Sequence, residues 1–211
     1  MAWEEHYYSK LKKLPRRVKT PVPFVMREVP RFRRHKVKNI LDLGCGMGRP
    51  SVHLAKSGFE VIGVDVSKSA LKVANAWVHK EKLANVALIN VTMTNLPFRD
   101  GCFDAVVSVS VIIHALKRNI EKTVAEIHRV LREKGLLLTN LTSIMDLRYG
   151  KGEKVEENTF KIMETFEGAR FTELHHFFTK EEALEMFSRF ADLKVTRLKE
   201  RLHYWKLLAV K

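Results

Sequence analysis

Leu41-Asp-Leu-Gly-Cys-Gly-Met-Gly48 is the stretch that decides the fold. It closes an apolar run, NILDLG (39–44), turns on three glycines in five residues, and leads into a helical pattern from Pro50 to Ser57. Glycines in such a turn allow positive φ and let a ligand lie on the peptide amides, and the following helix adds its N-terminal dipole. In an open α/β sheet, the turn at the carboxyl end of the first strand is where ligands bind.

Outward from this turn, short apolar runs alternate with helical patterns, which predicts βαβ units and a parallel sheet. The further runs are EVIGV (60–64), VALIN (86–90), FDAVVSVS (103–110) and GLLLTNL (135–141). They are short and rich in Val, Ile and Leu, as strands buried on both faces should be. Lys68 to Lys82 reads as a helix with Ser67 as N-cap, and Ile120, Val124, Ile127 and Leu131 recur at helical spacing within 119–132. Residues 142–170 carry Gly150, Gly152 and Gly168 with dense charge and no clear period, which predicts a loop-rich insertion. A helix resumes at Thr179, where Thr179 and Glu182 form a capping-box pattern and Ala183, Leu184, Phe187 and Phe190 supply an apolar face. Strands at about 192–200 and 203–210, split by a turn near Arg201, must pair antiparallel because the connection is so short.

Charge is distributed unevenly. The chain has 211 residues and a net charge of +14, and residues 1–38 hold twelve Lys or Arg against three acids, an excess of +9. Four of the six prolines also fall there, limiting helix to short pieces. Two readings of this arm stand side by side: basic residues interleaved with Tyr7, Tyr8, Phe24 and Phe32 that steer phosphates or an acidic substrate, or a solvated flap over the core. The absence of Gln and the wealth of Lys and Glu match a heat-adapted composition. With 45% hydrophobic residues the chain buries one sizeable core, so a single domain over 39–211 with the 1–38 arm or lid is expected. No apolar run approaches the ~20 residues of a spanning helix and the N-terminus is charged, so a cytoplasmic protein is expected. Cys45 and Cys102 make neither a disulfide framework nor a zinc site.

Seventeen residues beyond Gly48, Asp65 closes the second strand, where a carboxylate can accept hydrogen bonds from both ribose hydroxyls of a nucleoside. The dinucleotide fingerprint is G-x-G-x-x-G, whereas this turn is G-x-G-x-G with Asp42 two residues ahead of it. A carboxylate there suits a cationic, amino-bearing ligand and repels a pyrophosphate, which favours S-adenosylmethionine over NAD.

On these motifs the chain resembles the class I S-adenosylmethionine-dependent methyltransferases of the small-molecule type, strongly over 39–141 and more weakly to the end. The resemblance implies a doubly wound, seven-stranded Rossmann-like α/β sheet of order 3-2-1-4-5-7-6 with strand 7 antiparallel. It implies that Asp42, Gly44, Cys45, Gly46 and Gly48 line the methionine part of the cofactor, that Asp65 binds the ribose, and that Val66 lies beside the adenine. Asn90 to Phe98 resembles the third motif, in which Thr92 stands where the family usually has an acid and Met93 can pack on the ring. FDAVVSVSVIIHAL (103–116) resembles the fourth strand and its loop, whose backbone at Ser108 and Val109 would touch the methionine end, and Arg129 to Gly135 resembles the helix and turn before the fifth strand. S-adenosylhomocysteine would be the product.

Methyl transfer needs the protein mainly to position the nucleophile and exclude water. His114, just past the fourth strand, is the candidate base, with a backbone-satisfied structural histidine as the alternative. Tyr149, Glu157, Asn158 and His176 lie in segments expected to overhang the cleft. His175-His176 with His203 is poor metal spacing, so no metal is expected. Neither an Asn/Asp-Pro-Pro-aromatic segment nor a cysteine placed as nucleophile is present, which points to a small-molecule acceptor. The alternatives are an RNA methyltransferase docking through residues 1–38 and a cofactor-binding module without transfer activity.

Overall fold

Strands that must be buried on both faces dictate the centre of the molecule. The computed structural model describes residues 2–10, 15–166, 168–199 and 203–211. Its strands are β1 (Asn39–Leu43), β2 (Glu60–Asp65), β3 (Val86–Asn90), β4 (Phe103–Ser108), β5 (Leu131–Thr142), β6 (Glu153–Glu156), β7 (Thr159–Phe166), β8 (Ala169–His176), β9 (Ala191–Lys199) and β10 (His203–Val210). Its α-helices are α1 (Ala2–His6), α2 (Pro23–Met26), α3 (Val29–Arg34), α4 (Arg49–Lys56), α5 (Lys68–Lys80), α6 (Lys117–Val130) and α7 (Lys180–Met186). The main sheet runs β3-β2-β1-β4-β5-β10-β9, with β10 antiparallel to both neighbours. This is the order 3-2-1-4-5-7-6 with an antiparallel seventh strand, and the expected turn near Arg201 lies outside the described residues.

Alternation along each strand divides the core in two. Ile40, Ala105, Val107, Leu136 and Leu138 pack with Leu54 and Ala55 of α4, whereas Leu41, Val106 and Leu137 pack with Ile120, Val124 and Ile127 of α6 and with Ala183 and Phe187. Neighbouring residues on one strand thus serve opposite layers. The Ser67 hydroxyl caps α5 by accepting from Ala70 N (2.9 Å), and Thr179 caps α7 by accepting from Glu182 N (3.0 Å). Leu184, expected on the apolar face of that helix, is instead 37% exposed, because Ala183, Phe187 and Phe190 already fill the contact. Strand β5 begins at Leu131, earlier than the expected 135, with a register shift against β4 between Phe103 and Ala105.

Residues 142–170 differ from the expected loop. Strands β6, β7 and β8 form a separate antiparallel sheet. The dense charge hid a period of two: Phe160 and Ile162 are buried while Lys161 and Met163 are exposed. The sheet docks beside the loop after β4, where His176 N donates to Ile113 O (2.8 Å), and on the end of β5, where Phe178 N donates to Thr142 O (2.7 Å).

The arm is no solvated flap either. Phe24, Val25, Val29 and Phe32 are buried against Ile40, Leu54, Phe59 and Leu136, so α2 and α3 form part of the helix layer on one face of the sheet. The Lys206 ammonium donates to Glu28 and ties this layer to β10. The positive charge is carried on the outer side, where Arg33, Arg34, Lys36 and Lys38 are exposed. Among the described residues no helix is long and apolar enough to cross a membrane.

Phe32 is fully buried between the arm and Phe59. Phe32→Ala is therefore expected to lower the unfolding free energy by about 3–5 kcal/mol in urea titrations. A loss under about 0.5 kcal/mol would mean that the arm does not belong to the core.

Candidate functional site

Register brings the carboxyl ends of the parallel strands onto one line: Leu43 lies opposite Val64 and Ser108, and Ser108 opposite Thr139. Gly44, Asp65, Val109 and Asn140 follow these residues and form one edge. There Gly44 N and Cys45 N both donate to Val64 O (2.8 and 2.9 Å), and Gly46 N donates to Asp65 Oδ2 (2.8 Å). Three consecutive amides of the glycine turn are thus fastened to the end of β2. Gly44, Gly46 and Gly48 have φ of 71°, 52° and 83°. At Gly44 a side chain is excluded twice over, since a Cβ there would also lie 2.3 Å from Val111 Cγ2.

Asp65 is half-buried, and its other oxygen, Oδ1, accepts from Ser67 N (2.8 Å). Burial raises its pKa, although these amides pull it back. Each carboxylate oxygen retains a lone pair, so the group can still receive two neighbouring hydroxyls. Asp42 is fully buried beneath the turn. Its Oδ2 accepts from Ser51 Oγ (2.5 Å), its Oδ1 has no partner, and burial pushes its pKa up to about 7.

The other expected residues are placed as follows. Cys45 is buried with its Sγ near Gly63, so it offers the site only backbone, and burial raises its thiol pKa well above the usual value. The Ser108 hydroxyl is buried and donates to Leu43 O (3.1 Å), locking β4 to β1. Val66 is 40% exposed and Val109 half-buried. Thr92 is exposed, its hydroxyl 3.1 Å from that of Thr94, while Met93 packs on the core beside it.

His114 stands beside this edge with Nδ1 3.0 Å from Leu174 O. That nitrogen must carry the proton to bond a carbonyl, which leaves Nε2 as the acceptor. Burial, with His175 beside it (ring centroids 4.4 Å apart), lowers its pKa to about 3. His175 Nε2 is in turn 2.8 Å from Glu164 Oε1, which also pairs with Arg148 (2.7 Å). His176 is committed elsewhere, to Thr159 Oγ1 (2.7 Å) and Glu182 Oε1 (3.2 Å), and His203 lies 2.9 Å from an Arg197 nitrogen. Among the described residues no three His, Cys, Asp or Glu side chains gather as a metal site. Tyr149 and Asn158 hydrogen-bond to each other (2.9 Å), and Glu157 pairs with Lys154 (2.7 Å).

The sequence reading missed the contribution of α1. Glu4 accepts hydrogen bonds from the hydroxyls of Ser67 and Ser69, the latter at 2.6 Å, and these serines follow Asp65. The Tyr8 hydroxyl lies 3.1 Å from the Cβ position of Gly46. Trp3/Tyr7 and Glu4/Tyr8 are spaced four apart, a helical signal that could have shown them sharing one surface.

Residues 40–135 match the family model described as a methyltransferase domain. A putative methyltransferase of Geobacillus sp. (strain WCH70) is 31% identical over 71% of this chain and 54% of its own. Norajmaline N-methyltransferase of Rauvolfia serpentina is 36% identical over 45% of this chain and 32% of its own. The chain spans about half the length of the first curated relatives it matches. Among solved structures, a SAM-dependent methyltransferase from Methanosarcina mazei superposes with a TM-score of 0.73 at 22% identity, covering 86% of this chain and 97% of the other.

The buried Asp42 makes stability depend on pH. Its pKa is raised in the folded state, so the native protein holds the proton more tightly than the unfolded chain, and stability falls as pH rises from about 4 to about 7. Asp42→Asn removes this contribution and is expected to change the difference between wild type and variant by up to about 4 kcal/mol across that window. The check is the urea midpoint at several pH values; parallel curves for the two proteins would show that Asp42 ionises freely in the fold.

Proposed function

Since the chain belongs to the class I S-adenosylmethionine-dependent methyltransferase family, we propose that it transfers a methyl group from S-adenosylmethionine to a small-molecule acceptor and releases S-adenosylhomocysteine. The observation that carries the reading is the bond from Gly46 N to Asp65 Oδ2, which joins the glycine turn and the ribose acid into one surface. The residues fit the cofactor. Gly44, Gly46 and Gly48 put no side chain of their own between the backbone and a ligand, Asp65 keeps lone pairs for a vicinal diol, and Asp42 adds a carboxyl with an unpartnered oxygen beneath the turn.

In this reading the turn and Asp42 hold the methionine part together with the backbone of Ser108 and Val109. Asp65 holds the ribose, and Val66, Thr92 and Met93 flank the adenine. When bound, the cofactor supplies an electrophilic methyl group on a sulfonium. The chain's own task is to hold the acceptor in line and exclude water. His114 Nε2, its tautomer set by Leu174 O, accepts a hydrogen bond from the acceptor and orients it; because the fold keeps this ring neutral, the acceptor's proton leaves to solvent rather than staying on it. Residues 2–10 act as a lid, with Glu4 on Ser67 and Ser69 and Tyr8 over Gly46. A small acceptor accords with the relative named for methylating norajmaline.

Isothermal calorimetry with S-adenosylhomocysteine tests the cofactor site. Asp65→Ala removes two charge-assisted hydrogen bonds and is expected to weaken binding about 100-fold. Equal binding by wild type and variant would overturn the assignment of Asp65. Incubation with methyl-labelled S-adenosylmethionine and fractionated extract is expected to place label in small molecules, and label in RNA or protein would redirect the acceptor.

A further inference from the structure

Beside the glycine turn an indole sits among other rings. Trp3 of α1 packs against Phe171 of β8 (centroids 4.7 Å apart, planes at 68°), Phe166 of β7 (5.1 Å, 81°) and His114 (6.0 Å, 72°). Tyr8, whose hydroxyl lies over Gly46, is 5.9 Å from the same ring. Three of these walls, Phe166, Phe171 and His114, belong to the body of the protein. The indole comes from a helix of five residues at the amino terminus.

Resting on the transferase reading above, we propose that this slot is the acceptor site, that the acceptor is a planar aromatic molecule bearing an N–H or O–H group, and that Trp3 holds its place until it binds. Two phenyl rings set steeply to the indole offer faces and edges that complement a second π-system, each such pair contributing beyond simple burial. A saturated ring of equal size forgoes that contribution. His114 adds polar definition. With Nδ1 committed to Leu174 O, its Nε2 is left to accept the acceptor's N–H or O–H, which orients the ring within the slot. In the transfer, the acceptor's lone pair forms the new bond to the methyl carbon as that carbon's bond to sulfur breaks, its pair remaining on sulfur. The acceptor's proton, held until then in a hydrogen bond to His114 Nε2, leaves to water. The slot is within one ring of the glycine turn, as the Tyr8 contacts show, so acceptor and cofactor sites adjoin.

The test labels the protein with 5-fluorotryptophan, giving fluorine signals for Trp3, Trp77 and Trp205, with Trp3 assigned by Trp3→Phe. Indole, catechol and 8-hydroxyquinoline are titrated in the presence and absence of S-adenosylhomocysteine, against octahydroindole, cyclohexane-1,2-diol and 2-dimethylaminoethanol. The aromatic probes are expected to move the Trp3 signal and leave those of Trp77 and Trp205 in place. Phe171→Leu, or Phe166→Leu should the first not fold, is expected to weaken aromatic binding about 5-fold, the equivalent of about 1 kcal/mol for one lost ring pair, with S-adenosylhomocysteine affinity unchanged. Equal response to the saturated rings, response to the amine alone, or an unmoved Trp3 signal would overturn the aromatic slot. Failure of S-adenosylhomocysteine to bind would instead strike at the transferase reading, and the titrations without it judge the slot separately.

Discussion

Val64 O accepts two amide protons, from Gly44 and Cys45, and the site is arranged around that carbonyl. A strand running straight on from Leu43 could not direct successive amides at one acceptor. The chain must reverse sharply, which positive φ at Gly44 and Gly46 permits. Once the turn is fastened to β2, its third amide falls to Asp65 and α4 begins immediately after Gly48. Ser51, in the first turn of that helix, then reaches Asp42 behind the loop. Turn, helix and both carboxylates are consequences of one local geometry.

The two carboxylates carry opposed demands. Asp65 is bonded by amides on both oxygens and is half-buried, whereas Asp42 is held by Ser51 on one oxygen and is fully buried. Each raises the cost of charging the other, since the pKa of Asp42 includes repulsion from Asp65 after burial itself. An apolar residue at 42 would pack without that cost. A buried carboxyl with an unpartnered oxygen directly under the glycine turn is therefore a conflict that a cationic ligand at that turn would relieve, since it would favour the ionised form.

What the sequence made legible is what its neighbours in the chain determine. Strands β1 to β4 lie within two residues of their predicted limits, β1 and β2 because runs such as NILDL and EVIGV are buried inside the sheet, where pattern and environment agree, and β3 although it is the edge strand. The glycine turn and Asp65 were legible for the same reason, each set by a strand and its next turn. Phe32, Trp3, Glu4 and Tyr8 were not, since their partners lie tens of residues away and the surrounding Lys and Arg gave the arm the look of a solvated surface. In β7 the alternating Phe160 and Ile162 were masked by Lys161, on the opposite, exposed face, and by Glu164, which lies on their own face and pairs with Arg148 and His175. The hydroxyls of Thr92 and Ser108 show what position in the chain does not give, the partner of a side chain: Ser108 donates inward to Leu43 O, leaving its backbone at the strand end, and the Thr92 hydroxyl lies beside that of Thr94.

The second sheet explains how a half-buried histidine beside the glycine turn is kept neutral. His114 is neutral in the fold because burial and the adjacent His175 oppose its charge, and Leu174 O fixes which nitrogen bears the proton. Behind it, Glu164 is itself held below the usual carboxylate range by His175 and Arg148 against the effect of burial. Keeping His114 neutral has a linkage consequence opposite in sign to that of Asp42. Its folded pKa lies below its unfolded one, so stability rises with pH from about 3 towards 6.5, while the Asp42 contribution declines from about 4 to 7. Over the shared range the two partly cancel, and a flat pH profile of the intact protein is compatible with two strongly perturbed groups. Only the difference between the protein and a variant lacking one of them reveals either contribution.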